Sequence, residues 1–473
     1  MNQIAATLPS LFDTLKPAVG PSSSHTLGPM RAGLLFRQRL ESRSEYQPGE
    51  RVTVTLLGSL AHTGKGHLSD LAVVAGLCGL GPQHLEERPM TSVYDEVATT
   101  GVLQLSSGDV SFQPQQDIVF DTQTPADLHP NTLRFTLNDW EDRVLLSAVY
   151  CSIGGGLVID GADLDRAEDA TVSHTASGRD IVQACQRRRE TLVEYAVNME
   201  AGVYGRSRDM VFDHLRMVWT LMSNAIERGL ASEGNLPGLL RMERRAADMM
   251  RRFEKQHGTP GVISLDSTRA SIYAIAVAEE NAAGGAVVTA PTCGSAGVLP
   301  ACLRVMQESM QLPDERIHDA LLVASVIGEL AIAKASIAGA LVGCQGEIGV
   351  ASAMAAAAVC YLLGGSVSDQ INRAAETALE HFLGLTCDPV AGLVQIPCIE
   401  RNAVGAASAL NAANMAMISG GRARVGFDAT LEVMHQTGLD MRSRYKETSL
   451  GGLAAVPDLD SDGIPDDQQN EAL

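Results

Sequence analysis

The sequence predicts an α+β protein, an N-terminal α/β domain followed by a mostly all-α domain. Three observations predict it. Short stretches of alternating Val and Thr are confined to the first 155 or so residues. Beyond residue 181 the chain is almost wholly Ala/Leu/Met/Arg segments separated by Gly or Pro breaks. Aromatic residues make up only 4% of the 473 residues, against 45 glycines, a composition suited to helices packed closely through small side chains.

The strands come first. RVTVTLLGSL (51–60) alternates and then turns apolar, and DIVFD (117–121) and LRFTLN (133–138) read likewise. LSDLAVVAGLCGLG (68–81) reads as an apolar helix ended by glycine. VLLSAVYCSIGGGLVID (144–160) reads as strand, glycine turn, strand. The expected domains are 1–160, a polar linker 161–180, a helical domain 181–454 and an acidic tail 455–473. ALLVASVIGELAIAKASIAGALVG (320–343) is interrupted by Glu329 and Lys334, so a buried helix or helix pair is expected, not a membrane span.

The net charge of −20 repels phosphate backbones and argues against nucleic-acid binding. The N-terminus lacks the basic-then-apolar pattern of a signal peptide, and nine scattered cysteines do not suggest a disulfide framework. The expected setting is the cytoplasm. Asp458–Gly463 reads D-x-D-x-D-G, the opening of a calcium loop, but Gln469 stands where the bidentate Glu belongs.

Several loops carry chemistry. Cys344 lies between glycines ahead of a helix, where backbone N–H groups and the helix end favour a thiolate. Cys387 and Cys398 bracket a segment that Pro389 and Pro397 keep out of regular helix. Three cysteines at such breaks can hold a metal or an iron–sulfur cluster. His67, in the glycine-rich TGKGH, and His129, fixed before Pro130, have the residue type for proton transfer at neutral pH. GPSSSHTLGPM (20–30) gathers Ser22, Ser23, Ser24, His25 and Thr26 between two Gly-Pro pairs. The same residues suit a helix N-cap and an anion site. Lys65 adds a cation, but the P-loop pattern fails at Ser59 and Gly66.

Taken together, GPSSSHTLGPMRAG, TGKGH, LHPNTLRF, YCSIGGG, EENAAGGAVVTAPT, GCQGEIGVASAMAAAA, LGLTCDPVAGLVQIPCIERNA and YKETSLGGLA make the chain resemble the bacterial iron–sulfur-dependent L-serine dehydratases, in their single-chain form. The resemblance implies a [4Fe–4S] cluster on Cys344, Cys387 and Cys398 in the helical domain, with one iron left as a Lewis acid for the β-hydroxyl of L-serine. It implies His67 or His129 as the base on the α-proton. Ser22, Ser23, Ser24, His25, Thr26 and Lys65 would bind substrate. Pyruvate and ammonia would be the products, in amino-acid degradation and gluconeogenesis, from a homodimer. Use of L-threonine or L-cysteine, or sensing without turnover, are the alternatives. Some single-chain members end in a cysteine shortly after GGLA; here AVPDLDSDGIPDD follows and holds none.

Overall fold

A computed structural model describes residues 8–85, 88–163, 177–256, 265–420 and 424–456. The linker from 164 to 176, the acidic tail from 457 and its calcium-loop pattern lie outside the described residues.

The chain folds as α+β, as its composition predicts. The N-terminal sheet is built from β2 (Arg51–Gly58), β3 (Val102–Leu105), β4 (Gly108–Ser111), β5 (Ile118–Asp121), β6 (Asn131–Asn138), β7 (Val144–Gly154) and β8 (Leu157–Asp160). β1 (Pro17–Val19) lies apart from it. β2 pairs antiparallel with β6 and parallel with β5 and β4, while β6, β7 and β8 run on as an antiparallel meander. In β2 the alternation puts Val52, Val54 and Leu56 inside and leaves Thr53 and Thr55 half-buried. Helices Gly28–Glu41 and Ser69–Leu77 cover that apolar face, with Phe36 stacked on Phe135 at 5.1 Å. These two helices touch backbone to backbone: a Cβ on Gly76 would lie 2.1 Å from the Met30 carbonyl oxygen.

The helical body surrounds Ile348–Leu362, an Ala-rich helix that is almost wholly buried. Helices Val298–Met310, Asp314–Ala335, Asn372–Glu380 and Cys398–Ser419 pack around it, and its small side chains allow that close approach. The apolar stretch 320–343 divides into Asp314–Ala335 and a short second helix, bent by 56°. Among the described residues no single helix is long and apolar enough to cross a membrane.

The first residues belong to this helical body and not to the sheet. Leu8, Leu11 and Leu15 lie in its core. β1 pairs antiparallel with β9 (Ala286–Val288), matching Pro17 with Val288. From Leu8 the described chain thus lies in the helical body, and it leaves through GPSSSHTLGPM. Register places Gly58, Asn131 and Ser152 at one end of the sheet, the end that meets the helices.

Filling the glycine contact tests this packing. Gly76→Val should destabilise the protein by ~1–3 kcal/mol or more, because overpacking forces the two helices apart. A lower urea midpoint at unchanged slope is the readout.

Candidate active site

Cys344 sits in a tight turn, Gly343–Gln345, just before the buried helix Ile348–Leu362. Cys387 ends an extended segment, and Cys398 is the first residue of helix Cys398–Ser419. The three cysteines line one narrow cavity with Pro21, Ser22, His67, Glu347 and Glu447. All three are free of disulfides. The loop from residue 20 and the TGKGH loop therefore both reach the cysteines, across the junction of sheet and helices.

A backbone clasp fixes the middle cysteine. Cys387 N–H donates to the Tyr445 carbonyl at 2.8 Å, and Glu447 N–H donates to the Cys387 carbonyl at 2.7 Å. The Glu447 carbonyl accepts from Ser59 Oγ at 2.5 Å and from Thr63 Oγ1 at 3.4 Å, both in the N-terminal domain. Glu447 adopts a φ of 59°, unusual for a residue with a side chain. Its carboxylate is buried, with Oε1 at 3.3 Å from His25 Nδ1 and 3.8 Å from His67 Nε2. Glu347 Oε2 accepts from Thr292 Oγ1 at 3.0 Å, and a Cβ on Gly294 would lie 2.4 Å from that oxygen. The APTCGSAG turn needs its glycine there.

Hydrogen bonds fix the histidine tautomers. His67 Nδ1 lies 2.7 Å from the Thr63 carbonyl, which can only accept, so Nδ1 carries the proton and Nε2 keeps a lone pair. His129 Nδ1 accepts from Asn131 N–H at 3.0 Å, so its proton is on Nε2, which is buried and without a partner. His25 Nε2 lies 3.0 Å from Ser59 Oγ, whose own proton goes to Glu447; His25 therefore donates from Nε2. The two rings of His25 and His67 lie 4.6 Å apart.

The other expected residues divide. Ser22 Oγ accepts from His25 N–H at 3.1 Å and caps the turn Ser23–Leu27, which leaves its own proton to donate into the cavity. Thr26 Oγ1 is committed to the His67 carbonyl at 2.7 Å. Ser23, Ser24 and His129 are buried but not on the cavity wall. Lys65 is exposed and lines a neighbouring pocket instead. Gly66 brings its loop against the cysteine loop, since a Cβ there would meet the Gly392 carbonyl oxygen at 2.5 Å.

Two carboxylates, Glu347 and Glu447, are the residues that sequence reasoning missed. Both lie inside quoted motifs, GCQGEIG and YKETSLGG, and an acid amid glycines and small residues was the available signal. Arg401, which the ERNA stretch offers as a cation in the sequence, lies beside the cysteines. It holds the Thr386 carbonyl at 2.7 Å and Asp388 at 2.8 Å.

Two family models cover the chain between them. The serine dehydratase beta chain matches residues 10–163 and the serine dehydratase alpha chain matches 164–454. The chain belongs to the serine dehydratase family. L-serine dehydratase 2 of Escherichia coli (strain K12) is 43% identical over 451 residues, 94% of this chain and 98% of that protein. L-serine dehydratase of Haemophilus influenzae is 41% identical over 455 residues, and that of Streptomyces coelicolor 40% over 453. Each alignment spans 94% of this chain and 98% of the relative.

In this family member the cysteines are electrostatically unequal. The hydrogen bond from Cys387 holds the Cys344 thiol down to about 7 against the opposing effect of burial, with help from Arg401. The same hydrogen bond and burial raise Cys387, and burial raises Cys398. Burial works against the Arg401 charge, but the thiolates around it hold its pKa above the ordinary value. Burial and the Cys344 charge push Glu347 up to about 8. Burial lowers His67 and His129 to about 4, so both rings are neutral at neutral pH.

The donor set fits an iron–sulfur cluster. Three soft thiols converge from separate loops, with a buried guanidinium to balance their charge. Among the described residues no group of His, Cys, Asp or Glu is arranged to hold a single ion.

Buried neutral histidines make the fold acid-sensitive. The unfolded chain takes up protons as pH falls through about 6.5, while the folded His129 does so only near 4. Stability is therefore full above about 6.5 and lost on acidification. At pH 5 the loss from His129 is about 2 kcal/mol relative to pH 7.5. Urea midpoints at the two pH values should show it, and His129→Asn, which keeps an acceptor for Asn131, should flatten the dependence by that amount.

Proposed function

We propose that the protein is an iron–sulfur-dependent L-serine dehydratase that converts L-serine to pyruvate and ammonia. It is a lyase of the serine dehydratase family. The observation that carries the reading is the meeting of Cys344, Cys387 and Cys398 with His67 and Ser22 around one cavity. The L-serine dehydratases that match over nearly the whole chain supply the substrate class.

Held by Cys344, Cys387 and Cys398, a [4Fe–4S] cluster supplies one iron without a protein ligand, a Lewis acid for a poor hydroxide leaving group. The remaining tasks fall to the chain. Ser22 donates its hydroxyl proton to the substrate carboxylate, supported by the stiff loop that Pro21 opens. His67 Nε2 removes the α-proton, because it is the ring nitrogen with a lone pair on the cavity wall. Thr63 and Thr26 fix the ring and backbone of His67 so that its lone pair keeps one direction. Glu447 lies between His67 and His25, facing the ring nitrogen of each that carries the lone pair. His129 has its proton on Nε2 and lies off the cavity wall, so it is not the base.

Loss of the α-proton and of the β-hydroxyl as water leaves 2-aminoacrylate. It tautomerises to the imine, which water hydrolyses to pyruvate and ammonia. A homodimer and a cytoplasmic location belong to the same reading. The family likeness supports both, and apolar Val404, Met415 and Ile418, exposed on the helix that begins at Cys398, support the first.

Protein purified without oxygen tests the assignment. It should carry about four irons and matching sulfide per chain, release pyruvate from L-serine, and lose turnover in air. Absence of iron after anaerobic reconstitution would overturn the cluster. A full cluster that yields 2-oxobutyrate from L-threonine or sulfide from L-cysteine, but no pyruvate, would overturn the substrate.

The histidine roles have their own test. His67→Gln should lower kcat by ~10²–10⁴-fold with little change in KM. His129→Gln should cost less. The reverse ranking would exchange their roles.

A further inference from the structure

None of the catalytic tasks above falls to EENAAGG (279–285), the stretch in which helix Leu265–Ala282 ends. Glu279 accepts from the N–H groups of Arg245 and Ala246, and Glu280 pairs with Arg228 and Arg244, so both acids serve the helical body. Asn281 faces the other way, toward the serine loop. It is 1% exposed, and its Nδ2 donates to the Pro21 carbonyl at 2.7 Å. That carbonyl can only accept, which fixes the orientation of the amide. Its Oδ1 is buried and has no hydrogen-bond partner among the described residues. An amide satisfied on one side only is a poor source of stability, because the buried unpaired oxygen offsets what the one bond returns.

That one bond holds the peptide group between Pro21 and Ser22, both of which line the cysteine cavity. The nitrogen side of the same peptide, Ser22 N–H, donates to Thr26 Oγ1 at 3.1 Å, and Thr26 Oγ1 donates in turn to the His67 carbonyl. The peptide plane is thus gripped on its oxygen side by the helical body and on its nitrogen side by a hydroxyl that also holds the backbone of the base. Ser22 Oγ already accepts from His25 N–H. With the plane and that acceptor fixed, the hydroxyl proton has the cavity as its free direction. Gly20 completes the contact. A Cβ there would strike both the carbonyl oxygen and Oδ1 of Asn281, and Gly20 N–H donates to the Gly285 carbonyl at 3.3 Å.

We propose that Asn281 is a positioning residue of the reaction: through the Pro21–Ser22 peptide it aims the Ser22 hydroxyl at the substrate carboxylate. The inference rests on the reading that Ser22 binds that carboxylate. The His67 ring takes its direction separately, from the Thr63 carbonyl. Loss of the Asn281 bond therefore weakens recognition of the carboxylate and leaves proton abstraction nearly untouched.

Two ligands that differ only at the carboxyl group, L-alanine and L-alaninamide, test it; neither has a β-hydroxyl to lose. Their inhibition constants against L-serine should be measured on the anaerobic holoenzyme for the wild type, Asn281→Leu, Asn281→Ala and Ser22→Ala. The wild type should prefer the acid. Both Asn281 variants should cut that preference by about tenfold to a hundredfold, the weight of a hydrogen bond to a charged group. They should raise KM for L-serine by a like factor and change kcat by less than about threefold. Ser22→Ala should cut the preference at least as much. Asn281→Ala adds no bulk, so it carries the test if Asn281→Leu crowds the loop. A merely structural role would weaken acid and amide alike and lower kcat, and that result would overturn the proposal. Preference lost in Ser22→Ala but intact in both Asn281 variants would overturn it too, while the Ser22 reading stands. Preference absent from the wild type, or intact in Ser22→Ala, would overturn that reading and the inference with it.

Discussion

The two-way hydrogen bond between the backbone of Cys387 and the segment Tyr445–Glu447 is the constraint on which the site depends. It holds the middle cysteine in an extended conformation beside a strap from near the C-terminus. The strap is anchored from the other side, because the Glu447 carbonyl takes protons from Ser59 and Thr63. One peptide group thus ties the cysteine loop to the loop that carries His67. Ser449 Oγ to the Pro389 carbonyl at 2.6 Å, and Leu453 N–H to Asp388 at 2.8 Å, extend the clasp.

Burial gives the assembled site its electrostatic character. The neutral His67 and two acids raised toward neutrality face the thiols, so the charge fixed there is that of Cys344 and of the Arg401–Asp388 pair. A neutral His67 is ready to accept a proton without first losing one. In a dry site each hydrogen bond also fixes a tautomer, and this is why two histidines of similar appearance in the sequence come to differ in role. Glycines provide the other half of the design. Gly66, Gly294 and Gly339 stand where any side chain would strike a carbonyl or a carboxylate of the site.

Much of this was legible in the sequence, and the remainder has physical reasons for being hidden. The alternation of RVTVTLLG and the Ala-rich runs announced sheet and helices because burial follows their periods. Cys344, Cys387 and Cys398 stood out because each sits at a helix-breaking residue. The pairing of Pro17–Val19 with Ala286–Val288 was not legible: three-residue strands have too little pattern, and their partners lie far apart in sequence. The hairpin of Val102–Leu105 and Gly108–Ser111 escaped for the same reason. Glu347 and Glu447 escaped because an acid amid glycines and small residues is only a faint local sign that folding buries it. The serine loop was recognised as special, but its internal use was not. Thr26 serves the His67 backbone, and only Ser22 of its hydroxyl residues faces the cavity.

The central claim is that one cavity at the sheet–helix junction holds iron on three cysteines with His67 on its wall. X-ray diffraction from anaerobically reconstituted crystals, recorded on both sides of the iron absorption edge, tests it most directly. The account predicts one strong anomalous peak per chain, bounded by the sulfurs of Cys344, Cys387 and Cys398 and facing His67. Iron at any other place in the chain, or a peak in contact with those cysteines but walled off from His67, would contradict it.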